Sequence, residues 1–365
     1  MYKRNRNLFS FLAVLFTAGL IAGIGGIFLL LANQVGSGPS LVANTPINGD
    51  NSDLPNAPTS ETIGIHEATV LSVATNERTS IVASGSYDNT VRLWNRDREE
   101  DITLSHSGRV NDIIFTPNSQ QIVTGSGAGV ISLWSLSGEL QSAVKGGSGR
   151  ILSLAVDSQG KTIASGSSKG TLQLWSLEAD EETNEASLQT IETLTDTGSR
   201  INALAFHPTD QNILVSGSQD GLIQVWDINQ PQPIQTLDDS ADRIVSITIS
   251  SNGQYLASGS YDQSIRIWDL ETGDLLQTLD GHDFVVADVA FNPEGTVIAS
   301  SSYDESIKTW DWNQGRSLCT LEGHSGFVYS ITFADSGNTL VSGGYDGTVR
   351  TWDLTAATKE NCLPK

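Results

Sequence analysis

Basic side chains are scarce in this sequence: 20 Lys and Arg stand against 42 Asp and Glu, a formal charge of −22 over 365 residues. A surface that acidic repels phosphate backbones, which excludes general nucleic-acid binding unless a local basic patch exists. Cysteine is nearly missing. Cys319 and Cys362 are too few for a disulfide framework or a thiolate zinc site. No His/Cys/carboxylate cluster has metal-ligand spacing, and no G-x-x-x-x-G-K-[ST] phosphate loop occurs. The sequence therefore offers no metal site and calls for no cofactor. Methionine occurs once, whereas glycine (35 residues) and tryptophan (8) are abundant. That profile suits many short strands and tight turns better than helices.

The charge is unevenly placed. Lys3, Arg4 and Arg6 are the only charged side chains before Asp50, so the remainder sets 17 basic residues against 42 acidic ones, a net −25. Leu8 to Ala32 carries no charge, and its 25 residues exceed the roughly 20 a helix needs to cross a bilayer. Basic residues precede it and none follows until Arg78, so the positive-inside rule predicts a cytoplasmic N-terminus with everything beyond residue 33 translocated. A cleaved signal peptide is the competing reading, although its apolar region normally spans only about 7–15 residues. The expected order is a basic N-terminus (1–7), a transmembrane signal-anchor helix (8–32), a Gly/Pro/Ser/Asn-rich flexible linker (33–59), a repeat domain (60–354) and a C-terminal tail (355–365). The expected localisation is a single-pass membrane protein with the repeat domain in a periplasm or lumen.

Trp94, Trp134, Trp175, Trp226, Trp268, Trp310 and Trp352 follow one another at 40, 41, 51, 42, 42 and 42 residues. Around them recurs S-G-S-Y-D-N-T-V-R-L-W (84–94), S-G-S-Y-D-Q-S-I-R-I-W (258–268) and S-S-S-Y-D-E-S-I-K-T-W (300–310). Within each unit, β-branched runs alternate with turn pairs such as Asp220-Gly221 and Asp346-Gly347, which predicts antiparallel meanders. One four-stranded sheet cannot bury both faces, so such units must pack on each other. The chain resembles the WD-repeat β-propellers, with Trp-Asp at 226–227, 268–269, 310–311 and 352–353 and Gly-His at 281–282 and 323–324. The resemblance implies an all-β fold, a seven-bladed propeller around a channel, here preceded by the transmembrane helix. Two segments compete to complete the last blade: Thr62-Ile63, which we favour, and Cys362-Leu363. About ten extra residues after Trp175, E-A-D-E-E-T-N-E-A-S at 178–187, are expected to form a solvated acidic loop between the third and fourth strands. A Cys319–Cys362 bond is chemically permitted in an oxidising compartment, yet outer strands of neighbouring blades diverge, and pairing is left open.

Ser, His and Asp recur together as His66, Ser84, Asp88 with Trp94; His282, Ser300, Asp304 with Trp310; and His324, Ser342, Asp346 with Trp352. The set invites a hydrolase reading, but three copies at fixed spacing do not suit a reaction that needs one pocket and one oxyanion hole. The resemblance implies a structural chain, indole to Ser to His to turn Asp. Blades two and three depart furthest, with Ala128 and Lys169 in place of the turn Asp and Gly147 in place of the third blade's His. His207 replaces a usual Ser or Asn in a loop and is expected to be solvated.

Three residues after each His position stand Thr69, Arg109, Arg150, Arg200, Arg243, Val285 and Phe327. Directly before each turn-Asp position stand Tyr87, Gly127, Ser168, Gln219, Tyr261, Tyr303 and Tyr345. By the resemblance, both sets lie on one face around the channel. The candidate partner-binding rim is Arg109, Arg150, Arg200 and Arg243 beside Phe327, Tyr87, Tyr261, Tyr303 and Tyr345. Arg forks match carboxylates and Tyr gives amphipathic contact area, so the expected partner is an acidic or extended segment of a protein. The opposing reading pairs each Arg with acids such as Asp112 or Asp242, merely stabilising the ring. The function expected is a non-enzymatic, membrane-tethered interaction scaffold. The alternative is an extracytoplasmic sensor holding a small anion or other ligand at the channel mouth.

Overall fold

The computed structural model describes residues 60–355, apart from 77, 97–100, 180–185, 197 and 239–241. Each tryptophan-marked unit forms four short strands, because β-branched runs favour a pleated, half-buried surface and the turn pairs supply the reversals. Strand β1 (Ser60–Ile65) comes first, then blade one: β2 (Val70–Asn76), β3 (Ile81–Ser86), β4 (Thr90–Asn95) and β5 (Asp101–Ser105). Blade two is β6 (Val110–Phe115), β7 (Gln121–Ser126), β8 (Val130–Ser135) and β9 (Leu140–Lys145). Blade three is β10 (Ile151–Val156), β11 (Thr162–Ser167), β12 (Thr171–Ala179) and β13 (Ala186–Asp196). Blade four is β14 (Ile201–Phe206), β15 (Ile213–Ser218), β16 (Ile223–Asp227) and β17 (Pro233–Leu237). Blade five is β18 (Ile244–Ile249), β19 (Tyr255–Ser260), β20 (Ile265–Asp269) and β21 (Leu275–Leu279). Blade six is β22 (Val286–Phe291), β23 (Val297–Ser302), β24 (Ser306–Asp311) and β25 (Arg316–Glu322). Blade seven is β26 (Val328–Ala334), β27 (Thr339–Gly344) and β28 (Thr348–Asp353), completed by β1.

All seven sheets are antiparallel and four-stranded. The first strand of each blade packs on that of the next, round to β26 against β2, so this is the seven-bladed propeller. The N-terminal segment closes the ring: Thr62 pairs with Arg350 and Ser60 with Trp352. That pairing covers the edge that β28 would otherwise expose. Cys362-Leu363, the rival segment, lies outside the described residues, as do the 8–32 helix and the linker. Among the described residues no helix is long and apolar enough to cross a membrane.

Of the expected acidic loop at 178–187, residues 180–185 lie outside the described residues, and its two ends belong to β12 and β13. Residues 171–179 and 186–196 pair through Ala179 and Ala186, and Ala186 and Leu188 are buried in the core around Trp175. Cys319 in β25 is buried and disulfide-bonded, a state that the sequence left open. The other cysteine of the sequence, Cys362, lies outside the described residues.

Glycine sets how closely the blades approach. The middle residue of the S-G-S run lies beneath the first strand of the following blade. A Cβ at Gly85, Gly125 or Gly166 would fall 2.6–2.7 Å from a methyl of Val110, Ile151 or Ile201, closer than real atoms approach. Gly217, Gly259 and Gly343 meet Ile244, Val286 and Val70 in the same way. Blade six breaks the rule with Ser301, which is fully buried and whose hydroxyl finds no hydrogen-bond partner among the described residues.

Two buried carboxylates stitch three blades each. Asp112 in β6 accepts Ser72 Oγ of blade one at 3.1 Å and the Leu154 N–H of blade three at 2.7 Å. Asp288 in β22 accepts Ser246 Oγ of blade five at 2.6 Å and the Ile331 N–H of blade seven at 3.0 Å.

Ser301→Ala should stabilise the domain by about 1 kcal/mol, because it removes an unsatisfied buried hydroxyl without adding an atom to the seam. Gly259→Ala at the corresponding place in blade five should instead cost about 1–3 kcal/mol by overpacking. Urea midpoints of the two variants check this, and a destabilised Ser301→Ala would contradict it.

Candidate functional site

The recurring His, Ser, Asp and Trp come together within blades one, six and seven. In blade six, Trp310 Nε1 donates to Ser300 Oγ at 2.8 Å, Ser300 Oγ meets His282 Nε2 at 2.7 Å, and His282 Nδ1 meets Asp304 at 2.7 Å. Blade one repeats this with Trp94–Ser84 (2.7 Å), Ser84–His66 (2.7 Å) and His66–Asp88 (2.9 Å). Blade seven has Trp352–Ser342 (2.8 Å), Ser342–His324 (2.7 Å) and His324–Asp346 (3.0 Å). The hydroxyl accepts the indole N–H and can give its own hydrogen to Nε2, the arrangement in which Nδ1–H donates to the carboxylate. The geometry mimics a hydrolase triad, but Ser84, Ser300 and Ser342 are 0% exposed, and no substrate can reach their oxygens. The chain ties three segments of a blade together.

The other blades substitute in part. His106 reaches Thr124 at 2.8 Å but turns Nδ1 to the Leu104 carbonyl, having no turn Asp to meet. In blade five, Arg266 pairs with the turn Asp262 at 2.8 Å. Blades three and four keep the indole–serine bond, at 2.9 Å in both. His207, expected to be solvated, bridges two blades instead: Nδ1 accepts the Asp210 N–H at 3.0 Å and Nε2 meets the Gly253 carbonyl at 3.0 Å.

The second site lies on the face where these turns and the connections between blades emerge. In every blade the residue before the turn-Asp position donates its N–H to the carbonyl of the residue in the arginine set. The pairs are Tyr87–Thr69, Gly127–Arg109, Ser168–Arg150, Gln219–Arg200, Tyr261–Arg243, Tyr303–Val285 and Tyr345–Phe327, at 2.7–3.1 Å. This seven-fold pairing puts the two sets side by side and makes them one rim.

The arginines are not equivalent. Arg109 stacks on Tyr87 with its guanidinium carbon 4.9 Å from the ring centre, and its Nε donates to Asn111 at 2.8 Å. Arg243 stacks on Tyr261 at 4.7 Å and has a distant contact with Asp242 at 3.9 Å. Arg150 and Arg200, between them, form no ion pair with any described carboxylate. Desolvation by the surrounding rim, followed by the charges of Arg150, Arg109 and Arg243, lowers the pKa of Arg200 from its ordinary value. Four like charges therefore converge. Asp112, a candidate counter-ion, faces the seam instead; burial pushes its carboxyl up to about 7 against the backbone donors of Leu154 and Ile113.

Across the mouth the rim is aromatic. Tyr303 and Phe327 stack with centres 4.6 Å apart and planes 13° from parallel, and Tyr345 lies 6.0 Å from Phe327. Tyr329, absent from the sequence-derived set, packs 5.3 Å from Tyr303 and 6.3 Å from Phe327. Burial, with Tyr345 and Tyr261 nearby, pushes its phenol up to about 12. Its signal was available: it stands two residues after Phe327 in an inner strand, where the other blades carry Asn, Leu, Val or Ala.

The family model described as "Nucleolar protein 10-like, N-terminal domain" matches residues 101–309, and "WD domain, G-beta repeat" matches 59–95 and 315–353. A guanine nucleotide-binding protein subunit beta-like protein of Encephalitozoon cuniculi (strain GB-M1) is 47% identical over 36 residues, 10% of this chain and 11% of that protein. A ribosome biogenesis protein WDR12 homolog of Chlamydomonas reinhardtii is 42% identical over 60 residues, 16% of this chain and 14% of that protein. The chain thus spans under a sixth of the length of either relative. These matches overturn the expected localisation on the far side of a membrane: the model covering most of the propeller describes a nucleolar protein, and one relative is a ribosome biogenesis protein. The anchor on which that expectation rested lies outside the described residues, and no described helix can span a bilayer.

Ser300→Ala strands both the Trp310 N–H and His282 Nε2 in the interior and should cost about 2–4 kcal/mol. The pH dependence has two opposing parts. Burial alone would raise the carboxyls of Asp304 and Asp346, but hydrogen bonds led by those from His282 and His324 hold both well below the usual range. Their stabilisation is present above the ordinary carboxylate pKa of about 4 and is lost as pH falls below it. Asp112 works oppositely: it stays protonated in the fold up to about 7, so its contribution weakens as pH rises from about 4 to 7. Urea unfolding across this range should show a flatter pH dependence for Asp112→Asn than for the parent; an unchanged slope would contradict the assignment.

Proposed function

The chain belongs to the WD-repeat β-propeller family, and on that footing we propose that it is a non-catalytic interaction scaffold whose rim captures an acidic, extended segment of a protein partner. One observation carries this reading. Arg150 and Arg200 hold no described carboxylate, although the chain has 42 acidic residues from which to supply one. Like charges held together cost free energy unless something offsets them. Stacking accounts for Arg109 and Arg243, while the central pair is left with its charge available. Planar forks of that kind suit carboxylates, and aromatic and arginine side chains are the usual anchors of protein interfaces. The three Ser-His-Asp sets are sealed and committed to the blades, which supports a binding rather than a chemical role. The relative named as a ribosome biogenesis protein directs the search for the partner toward ribosome assembly.

Two variants test this. A fluorescent peptide of glutamates in a glycine/serine frame should bind the full chain, and Arg150→Glu with Arg200→Glu should weaken it by roughly 30-fold or more without lowering the melting temperature. Equal binding by the double variant overturns the proposal. Competition by citrate as effective as by the peptide would favour a small-anion sensor instead. Tighter binding of single-stranded poly(U) than of the peptide would show an RNA face.

A further inference from the structure

The aromatic half of the rim has no structural duty that explains its exposure. Phe327 is 40% and Tyr345 53% exposed, while Tyr303 beneath them is half-buried. A fold that needed these rings for stability would cover them, and a contiguous exposed apolar patch marks a contact site. It adjoins the arginine arc where blade five, whose Tyr261 carries Arg243 at 4.7 Å, packs on blade six. The arc occupies blades two to five, and the aromatic shelf blades six and seven, so the two face each other across the channel mouth.

We propose that the rim reads a bipartite motif, in which an acidic residue sits between Arg150 and Arg200 and a flat or branched apolar side chain of the same segment rests on Phe327 and Tyr345. This rests on the acidic-segment reading above and adds an anchor residue and a spacing to it. The ligand must cross the mouth, so its two determinants are separated by a linker of defined reach, at about 3.3 Å per extended residue. The charge pattern also fixes what the anchor is not. Tyr87 and Tyr261, which flank the shelf, already carry guanidinium groups on their faces, and a cationic side chain would meet that positive charge. The shelf therefore takes a neutral apolar residue and rejects lysine.

The test adds one tryptophan to the glutamate peptide through glycine/serine spacers of increasing length. At the matching length it should bind the full chain about tenfold more tightly than the glutamate peptide alone. Lysine in place of that tryptophan should give no gain. Phe327→Ala, and independently Tyr345→Ser, should erase the tryptophan gain, so that each variant binds the tryptophan peptide no more tightly than the glutamate peptide. If the glutamate peptide binds but tryptophan adds nothing at any spacing, or the gain survives both variants, the anchor is refuted and the acidic reading stands. If the glutamate peptide itself fails to bind the parent chain, both fall together.

Discussion

A blade is a sheet with two apolar faces and no means of covering either alone. Everything else follows from how closely the next blade can approach. That distance is set where a glycine of the second strand lies under a Val or Ile of the following blade's first strand, six times around the ring. Because the contact is between backbone and methyl groups, it is dry and tight, and polar groups at the same level must be satisfied internally. Asp112 and Asp288 do this by accepting donors from the blades on both sides. Their burial depends on the inner strands of the flanking blades, which pack against β6 and β22 from both sides.

The same constraint shapes the rim proposed as a binding face. In every blade, with or without a His–Asp contact, the residue before the turn-Asp position gives its N–H to the carbonyl at the start of the inner strand. Two backbone positions per blade are thereby fixed in space, while side chains such as Tyr87, Tyr261, Phe327 and Tyr345 stay exposed. Substitution there costs the fold little, so arginine on blades two to five and aromatics on the others can form a continuous rim. Rigid backbone with freely chosen side chains is what a recognition surface needs.

Much of this was legible in the sequence, for reasons that differ by residue. Trp spacing and the S-G-S-Y-D run exposed the blades because one tryptophan recurs at the same place in every unit and the turn Asp in five of the seven. The rim arginines could be named because they sit at a fixed distance from the histidine position. Tyr329 escaped because it lies within a strand, where an aromatic reads as core. Asp112 offered a charge to the rim only in the opposing reading; that its strand turns it into the seam depends on which neighbour donates, a fact of packing. The ends of the acidic insertion after Trp175 join strands because Ala179 pairs with Ala186, and Ala186 and Leu188 reach the core around Trp175. Charge asymmetry and an apolar run suggested a location beyond a membrane, and hydrophobicity could not weigh that against the kinship of the propeller itself.

Under the proposed function, the central arginines serve a ligand and not the ring. The melting temperature of the unliganded Arg150→Ala, Arg200→Ala double variant at low salt measures that directly. If the arginines repel one another without internal partners, the variant melts at or above the parent temperature. A fall of several degrees, the size expected for about 1 kcal/mol or more of lost stabilisation, would mean that they hold the blades together, and the rim would lose its claim as a recognition site.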